Sequence, residues 1–180
     1  MQYRRFQHAG GTWFFTVVTE NRRPLFSDSG NVDLLRDVLK HVNIKYPMQI
    51  DAVVILPDHI HCIWTLPEGD SDNATRWRLI KSQFTKRCDS RYKAIPGPAK
   101  LKKQQQAVWQ NRFWSHLITD DNDFQHHFDY IHYNPVKHGL CDKPVDWTHS
   151  SIHKFMASGV YPENWGSCGR IDLPENIGNE

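Results

Sequence analysis

Two imidazoles two residues apart, in His59-Ile60-His61, are the residues of this chain whose types and spacing first suggest chemistry. On a strand, side chains alternate faces, so His59 and His61 share one side while Ile60, Cys62, Trp64 and Leu66 form an apolar edge on the other. One face then belongs to a core and the other is free for chemistry. Imidazole pairs ligate metals, but no zinc-type cysteine pair is available to join them. Cys62, Cys88, Cys141 and Cys168 have no CxxC spacing and read as reduced thiols.

A third ligand is offered by a later segment, "DFQHHFDYIHYNPVKHG", which reads as a helix capped by Asp120 or Asp121. At about 100° per residue with Tyr130 at zero, Asn134 falls near +40°, His126 near −40° and Lys137 near −20°, a single polar stripe. Phe124, Phe128 and Ile131 lie between about 100° and 160° and must face a core. A phenol, an amide oxygen and an ammonium are therefore aligned along an anchored helix. Metal chemistry needs such a set: His59 and His61 from the strand, an oxygen ligand from Asn134, and a nucleophile one turn away at Tyr130. His132, near 200°, is off the stripe and reads as structural. Plainer readings stand beside these: an HxH pair that only fixes local structure, Asn134 capping a last turn opened by Pro135, and Tyr130 as a packed aromatic.

The elements that would position these residues follow from pattern. "GTWFFTVVTE" (11–20) is a strand rich in β-branched and aromatic residues, and Leu35, Val38, Leu39, Val42 and Tyr46 fall at helical spacing up to Pro47. "IDAVVIL" and "HIHCIWTL" make a hairpin across Pro57-Asp58. From Asn73, the residues Trp77, Ile80, Phe84 and Cys88 form a second helical stripe that reads as core. "IPGPAKLKKQQQ" reads as a mobile basic loop. In "VWQNRFWSHLI" (108–118), Trp109, Phe113 and Leu117 alternate with Gln110, Arg112, Trp114 and His116, as in a half-buried strand. The order β-α-β-β-α-β-α predicts an α+β fold: a ferredoxin-like split βαβ antiparallel sheet with packed helices and a C-terminal tyrosine helix. Residues 1–140 are expected to form this domain, with 141–180 an irregular extension packed on it.

Composition sets the bounds. With 180 residues, 39% of them hydrophobic and 12% aromatic, the chain can bury one sizeable core, which excludes disordered and collagen-like classes. The net charge of +2 says little, but ten basic residues against Asp89 alone between Arg76 and Lys103 concentrate charge in one segment. That run suits phosphates, although a solvated helix face is the commoner meaning. "MQYRRFQHAG" lacks a signal-peptide apolar region, and runs such as "AVVIL" are too short to span a bilayer, so a cytoplasmic protein with no membrane partner is expected.

Taken together, His59-Ile60-His61 and "DYIHYNPVKHG" resemble the HUH motif and tyrosine helix of the single-tyrosine HUH transposases, specifically the REP-associated tyrosine transposases. The resemblance runs through "GGTWFFTV", "LPDHIHCIWTLPEGD", "RWRLIKSQF" and "WQNRFWSHLI", about residues 3 to 155. It implies metal-dependent cleavage and rejoining of single-stranded DNA at repetitive extragenic palindromic (REP) hairpins, through a 5′-phosphotyrosine on Tyr130. Tyr133 is a departure, a second tyrosine close to the first. Mixed nitrogen and oxygen ligation by His59, His61 and Asn134 suits Mg²⁺ or Mn²⁺. Because the phosphodiester is exchanged, no nucleotide cofactor is needed. DNA contacts are expected from Tyr3, Arg4 and Arg5, from the basic helix with Arg76, Arg78, Lys81 and Arg87, and from Arg112, Trp114, His116 and Lys137 near the site. A monomer is favoured over a homodimer. The alternative is a catalytically silent protein that binds hairpin single-stranded DNA, or RNA, on the same sheet.

Overall fold

The computed structural model describes residues 10–102, 106–167, 171, 173, 174, 177 and 178. Four strands, β1 (Thr12–Val18), β2 (Gln49–Ile55), β3 (His59–Thr65) and β4 (Trp114–Leu117), form one antiparallel sheet in the order β2-β3-β1-β4. Helix α1 (Ser29–Lys45) joins β1 to β2 with β3 inserted between them, and α2 (Asn73–Arg87) lies between β3 and β4, which flank β1. This is the ferredoxin-like α+β arrangement that the element order predicts. Helix α4 (Asp121–Lys137) follows β4, and two short helices, α3 (Pro98–Lys102) and α5 (Ile152–Ala157), complete it.

Local chemistry sets the helix starts. Asp28, Asp72 and Asp120 cap α1, α2 and α4 by accepting the backbone N–H of Gly30, Thr75 and Asp123. The period of two along the strands then divides the interior. Phe15, Val17, Ile60, Cys62 and Trp64 pack with Leu35, Val38, Trp77, Ile80 and Phe84 of α1 and α2. Phe14, Ala52, Val54 and Ile63 pack on the opposite face with Phe124, Phe128, Tyr130 and Ile131 of α4.

This second core corrects the expectation of an open face. His59 is 1% exposed and His61 0%, both covered by α4. Residues beyond 140 cover the helix in turn. Ile55 N–H donates to His149 O, Ser151 N–H donates to Val53 O and Trp147 Nε1 donates to Ile55 O, so this segment lies along β2. The Tyr161 hydroxyl donates to Asp129 at 2.6 Å, and His132 sits between Ser151 Oγ (2.8 Å) and Tyr161 (3.2 Å). Burial pushes the His132 ring down to about 3, so it is neutral. Helix α5 is a further correction to the expectation of an irregular tail.

Two more expectations fail. Only Trp114–Leu117 of the 108–118 segment is strand, and within it Trp114 and His116 turn inward while Leu117 is 44% exposed. Residues 109–113 leave the sheet to carry Trp109 and Phe113 to the α2 core, so period two does not hold across them. The 95–106 segment contains α3, whose Lys100 is buried, with its ammonium donating to Glu20 at 2.5 Å and to Trp109 O at 2.8 Å.

Candidate active site

The turn Pro57-Asp58 starts β3, and Thr19 pins it by donating both its N–H and its hydroxyl to Asp58 O. His59 Nδ1 lies 2.6 Å from Asp58 Oδ1. Burial by itself would push this carboxyl up, but the hydrogen bond and charge of His59, with Arg22 behind, hold it below the ordinary carboxylate range. An ionised carboxylate only accepts, so Nδ1 carries a proton, and it is Nε2 that would offer its lone pair when the ring is neutral. His59 Nε2 is buried with no hydrogen-bond partner among the described residues, a placement that costs about 1–3 kcal/mol unless something binds there. A carboxylate-oriented imidazole with an inward lone pair is a metal ligand in chemical type. His61 is oriented similarly, by Thr16 Oγ1 at 2.9 Å from its Nδ1, and its ring lies 4.8 Å from that of His59.

Helix α4 faces this pair. The Tyr130 ring packs on His61 at 5.2 Å and the His138 ring on His59 at 5.2 Å. Asn134, fully buried, lies four residues after Tyr130 and four before His138, which sets it on the same helical face between them. Pro135 does not end the helix, which continues to Lys137. The Lys137 ammonium donates to the Tyr130 phenol oxygen at 3.2 Å and lies 4.7 Å from the ring centre. That hydroxyl is also 3.4 Å from Gly178 O. Gly178, at φ +68°, fits only as glycine: a Cβ there would meet the phenol oxygen at 2.4 Å. Tyr133 points elsewhere, its ring edge-on to Trp165 at 6.4 Å. His126 is half-buried.

The expected DNA-contacting residues are scattered. Arg78, Arg87 and Arg112 are exposed. Arg76 is not: it is 1% exposed, and its guanidinium donates to Asp70, Asp72 O and Pro47 O, so it braces the fold. Lys81 lines a groove of about 490 Å³ with Arg78, Lys86, Trp109 and Phe113, and donates to Gln110 O at 2.8 Å. Burial and the nearby Lys100 charge bring its ammonium down to about 8. Trp114 packs edge-on to Phe14 and is stacked 6.0 Å from His116, beside the histidine face. Lys137 and the exposed His138 stand at the solvent-facing end of that face. Tyr3, Arg4 and Arg5 lie outside the described residues.

Sequence reasoning missed Asp58, Thr16 and His138 as site residues. Asp58 had a signal, since a carboxylate directly before a ligand-type histidine can orient it. Thr16 had none, because its pairing with His61 depends on the β1–β3 register. Also missed was a cluster of His116, Asp123 and His127, whose ligand-type atoms lie within 4.8 Å of one another.

Comparison with known proteins gives the family. The family described as "Transposase IS200 like" matches residues 12–134. The chain is 45% identical over 164 residues to an Escherichia coli REP-associated tyrosine transposase, covering 91% of this chain and 90% of that protein. It is 40% identical over 171 residues to a Haemophilus influenzae protein named for the same group, covering 95% of each. A solved structure of a REP-associated tyrosine transposase bound to a REP hairpin superposes with a TM-score of 0.77 at 40% identity, covering 100% of this chain and 97% of that one. Among the described residues no helix is long and apolar enough to cross a membrane.

Proposed function

The chain belongs to the IS200-like transposases, in the REP-associated tyrosine group, and from that premise we propose that it cuts and rejoins single-stranded DNA carrying REP-type hairpins through a covalent bond to Tyr130. The observation that carries this reading is the buried Nε2 of His59, which has no hydrogen-bond partner among the described residues and is held beside His61 and across from the tyrosine helix.

His59, His61 and Asn134 would hold a divalent ion, Mg²⁺ or Mn²⁺, which when bound would supply Lewis-acid polarisation of the scissile phosphate. The protein's own groups do the rest. A free phenol ionises near pH ~10, so only about 0.1% is phenolate at neutral pH. The Lys137 ammonium, donating to the Tyr130 oxygen at 3.2 Å, aims that oxygen and places a positive charge beside it. The phenolate oxygen forms a bond to phosphorus as the bond from phosphorus to the 3′-oxygen breaks. The phenol proton is lost, the 3′-oxygen is protonated, and the downstream strand keeps a 5′-phosphotyrosine. Ester replaces ester, so a 3′-hydroxyl reverses the step without a nucleotide cofactor. Asp58 and Thr16 keep the imidazoles in one tautomer and orientation throughout. Arg78, Lys86, Arg87 and Arg112 offer exposed cations to the hairpin phosphates.

The test is incubation of the full chain with a single-stranded REP hairpin and Mn²⁺ or Mg²⁺, followed by denaturing electrophoresis. The expected result is a protein–DNA adduct retaining the strand downstream of the cut, a released fragment with a 3′-hydroxyl, and loss of both in EDTA. Hairpin binding without any adduct, or cutting that persists in EDTA, contradicts the proposal.

A further inference from the structure

We propose that His116, Asp123 and His127 form a second metal site, for a transition-metal ion of the Zn²⁺ class, separate from the His59–His61 pair and independent of the tyrosine chemistry. Two imidazoles and a carboxylate are a zinc-type donor set, and here they come from two elements, His116 from β4 and the other two from the first turns of α4. Asp123 and His127, four residues apart on the helix, share one face, and His116 reaches them from the neighbouring strand.

The three ligand-type atoms all lie within 4.8 Å of one another. His116 Nε2 lies 2.9 Å from Asp123 Oδ2, and His127 Nδ1 lies 2.9 Å from Asp123 Oδ1. Tetrahedral zinc with bonds of about 2.1 Å separates its ligand atoms by about 3.4 Å, so with Asp123 Oδ1, which lies 3.1 Å from His116 Nε2, as the ligand oxygen, the two nitrogen–oxygen pairs open by about 0.3 and 0.5 Å. Without metal each ring donates an N–H to Asp123. On binding, that proton passes to the ring's other nitrogen and the freed lone pair takes the ion; the His127 hydrogen bond to Asp123 O, 2.9 Å long, is given up. Nothing is oxidised or reduced.

The surroundings are those of a built site. Thr119 donates its N–H to Asp123 Oδ2 at 2.9 Å and its hydroxyl at 3.3 Å, fixing the carboxylate. The two rings stack nearly parallel at 4.7 Å, with Trp114 against His116 and Phe14 against His127, so one ring turns about its side chain to bring both in-plane lone pairs onto a single ion. The His116 side chain is 36% exposed, which gives an ion entry and a water its fourth position. Phe14 separates the cluster from the histidine pair, its ring 4.8 Å from His127 and 5.5 Å from His61. The ion would fasten the short edge strand β4 to the start of the helix that carries Tyr130.

The test is titration of the full chain with Co²⁺, a spectroscopic substitute for zinc, read by visible absorption, together with melting in Zn²⁺. In a His59→Ala/His61→Ala double variant, one equivalent of Co²⁺ with tetrahedral-type absorption should remain, and Zn²⁺ should raise Tm. Adding His116→Ala, a change at a partly exposed edge residue whose fold is checked by circular dichroism, should remove both; His127→Gln should do the same. If the double variant takes up no Co²⁺, or keeps its absorption after both further changes, the cluster is only a hydrogen-bonded brace and the proposal fails.

Discussion

The two faces of the sheet are built from the same strands and do opposite things. Facing α1 and α2, Phe15, Val17, Ile60, Cys62 and Trp64 meet apolar partners, and the Trp64 indole is satisfied by Asn73 Oδ1 at 2.7 Å. Facing α4, the intervening residues His59 and His61 meet a further imidazole and a phenol, and Thr16 holds His61 in place. Both faces are dry. What differs is the kind of polar group left over: among the described residues the first face leaves the indole N–H donors of Trp77 and Trp109 without hydrogen bonds, whereas the second leaves a ring nitrogen that can ligate, His59 Nε2. Period two lets one strand serve as scaffold and site at once, so the apolar face holds the ligand face rigid.

The sharpest way to break the comparison is to alter one residue from each face. His59→Ala or His61→Ala should abolish cleavage while hairpin affinity, measured by fluorescence anisotropy, stays within a few-fold. Trp64→Ala should do the reverse, costing about 3–5 kcal/mol of stability in urea melts while the remaining folded protein still cleaves. If His61→Ala cleaves normally, the two faces are not functionally distinct.

A milder perturbation keeps both ligands and removes only their orientation. Asp58→Ala should weaken metal affinity by about 10- to 100-fold, read by Mn²⁺ titration of cleavage, with little change in maximal rate. An unchanged Mn²⁺ requirement would reduce Asp58 to a turn residue.

The second face should also show itself in acid. His132 is neutral in the folded protein, its ring pushed by burial from the ordinary 6.5 to about 3. Below pH 6.5 the unfolded chain binds a proton that the folded chain refuses, so this term is intact above 6.5 and stability falls progressively toward pH 3. Urea melts at stepped pH should show that acid limb flattened in His132→Gln, which is itself less stable at pH 7. Parallel limbs would mean that another group governs acid unfolding.

The smallest effect concerns the surface outside both cores. Neutralising Arg78, Lys86 and Arg87 should lower the log–log salt slope of binding by roughly 0.7 for each phosphate that the protein no longer neutralises on single-stranded DNA. Cleavage at saturating DNA should survive. An unchanged slope would assign these cations to a solvated face.

Much of this was legible because it is periodic. Alternation in "HIHCIWTL" assigns His59 and Trp64 to opposite faces, and the 3.6-residue period aligns Tyr130, Asn134 and Lys137. Long-range pairing was not legible. Nothing in the sequence brings Thr16 to His61 or His116 to His127, since those contacts depend on strand register and helix docking. The basic run misled at Arg76, because charge density does not reveal that one guanidinium is buried against Asp70. The tail was hard to read because it covers α4 through single contacts, such as Tyr161 with Asp129, which follow no period.

The central claim is that the face of α4 turned toward His59 and His61 carries the nucleophile, and the two neighbouring tyrosines test it directly. Tyr130 packs on His61 and Tyr133 on Trp165, about 60° apart around the helix axis over three residues. Mass-spectrometric mapping of the protease-digested protein–DNA adduct should find the nucleotide on Tyr130. Tyr130→Phe should form no adduct while still binding the hairpin, and Tyr133→Phe should form it. An adduct mapped to Tyr133, or one that persists in Tyr130→Phe, would contradict the account.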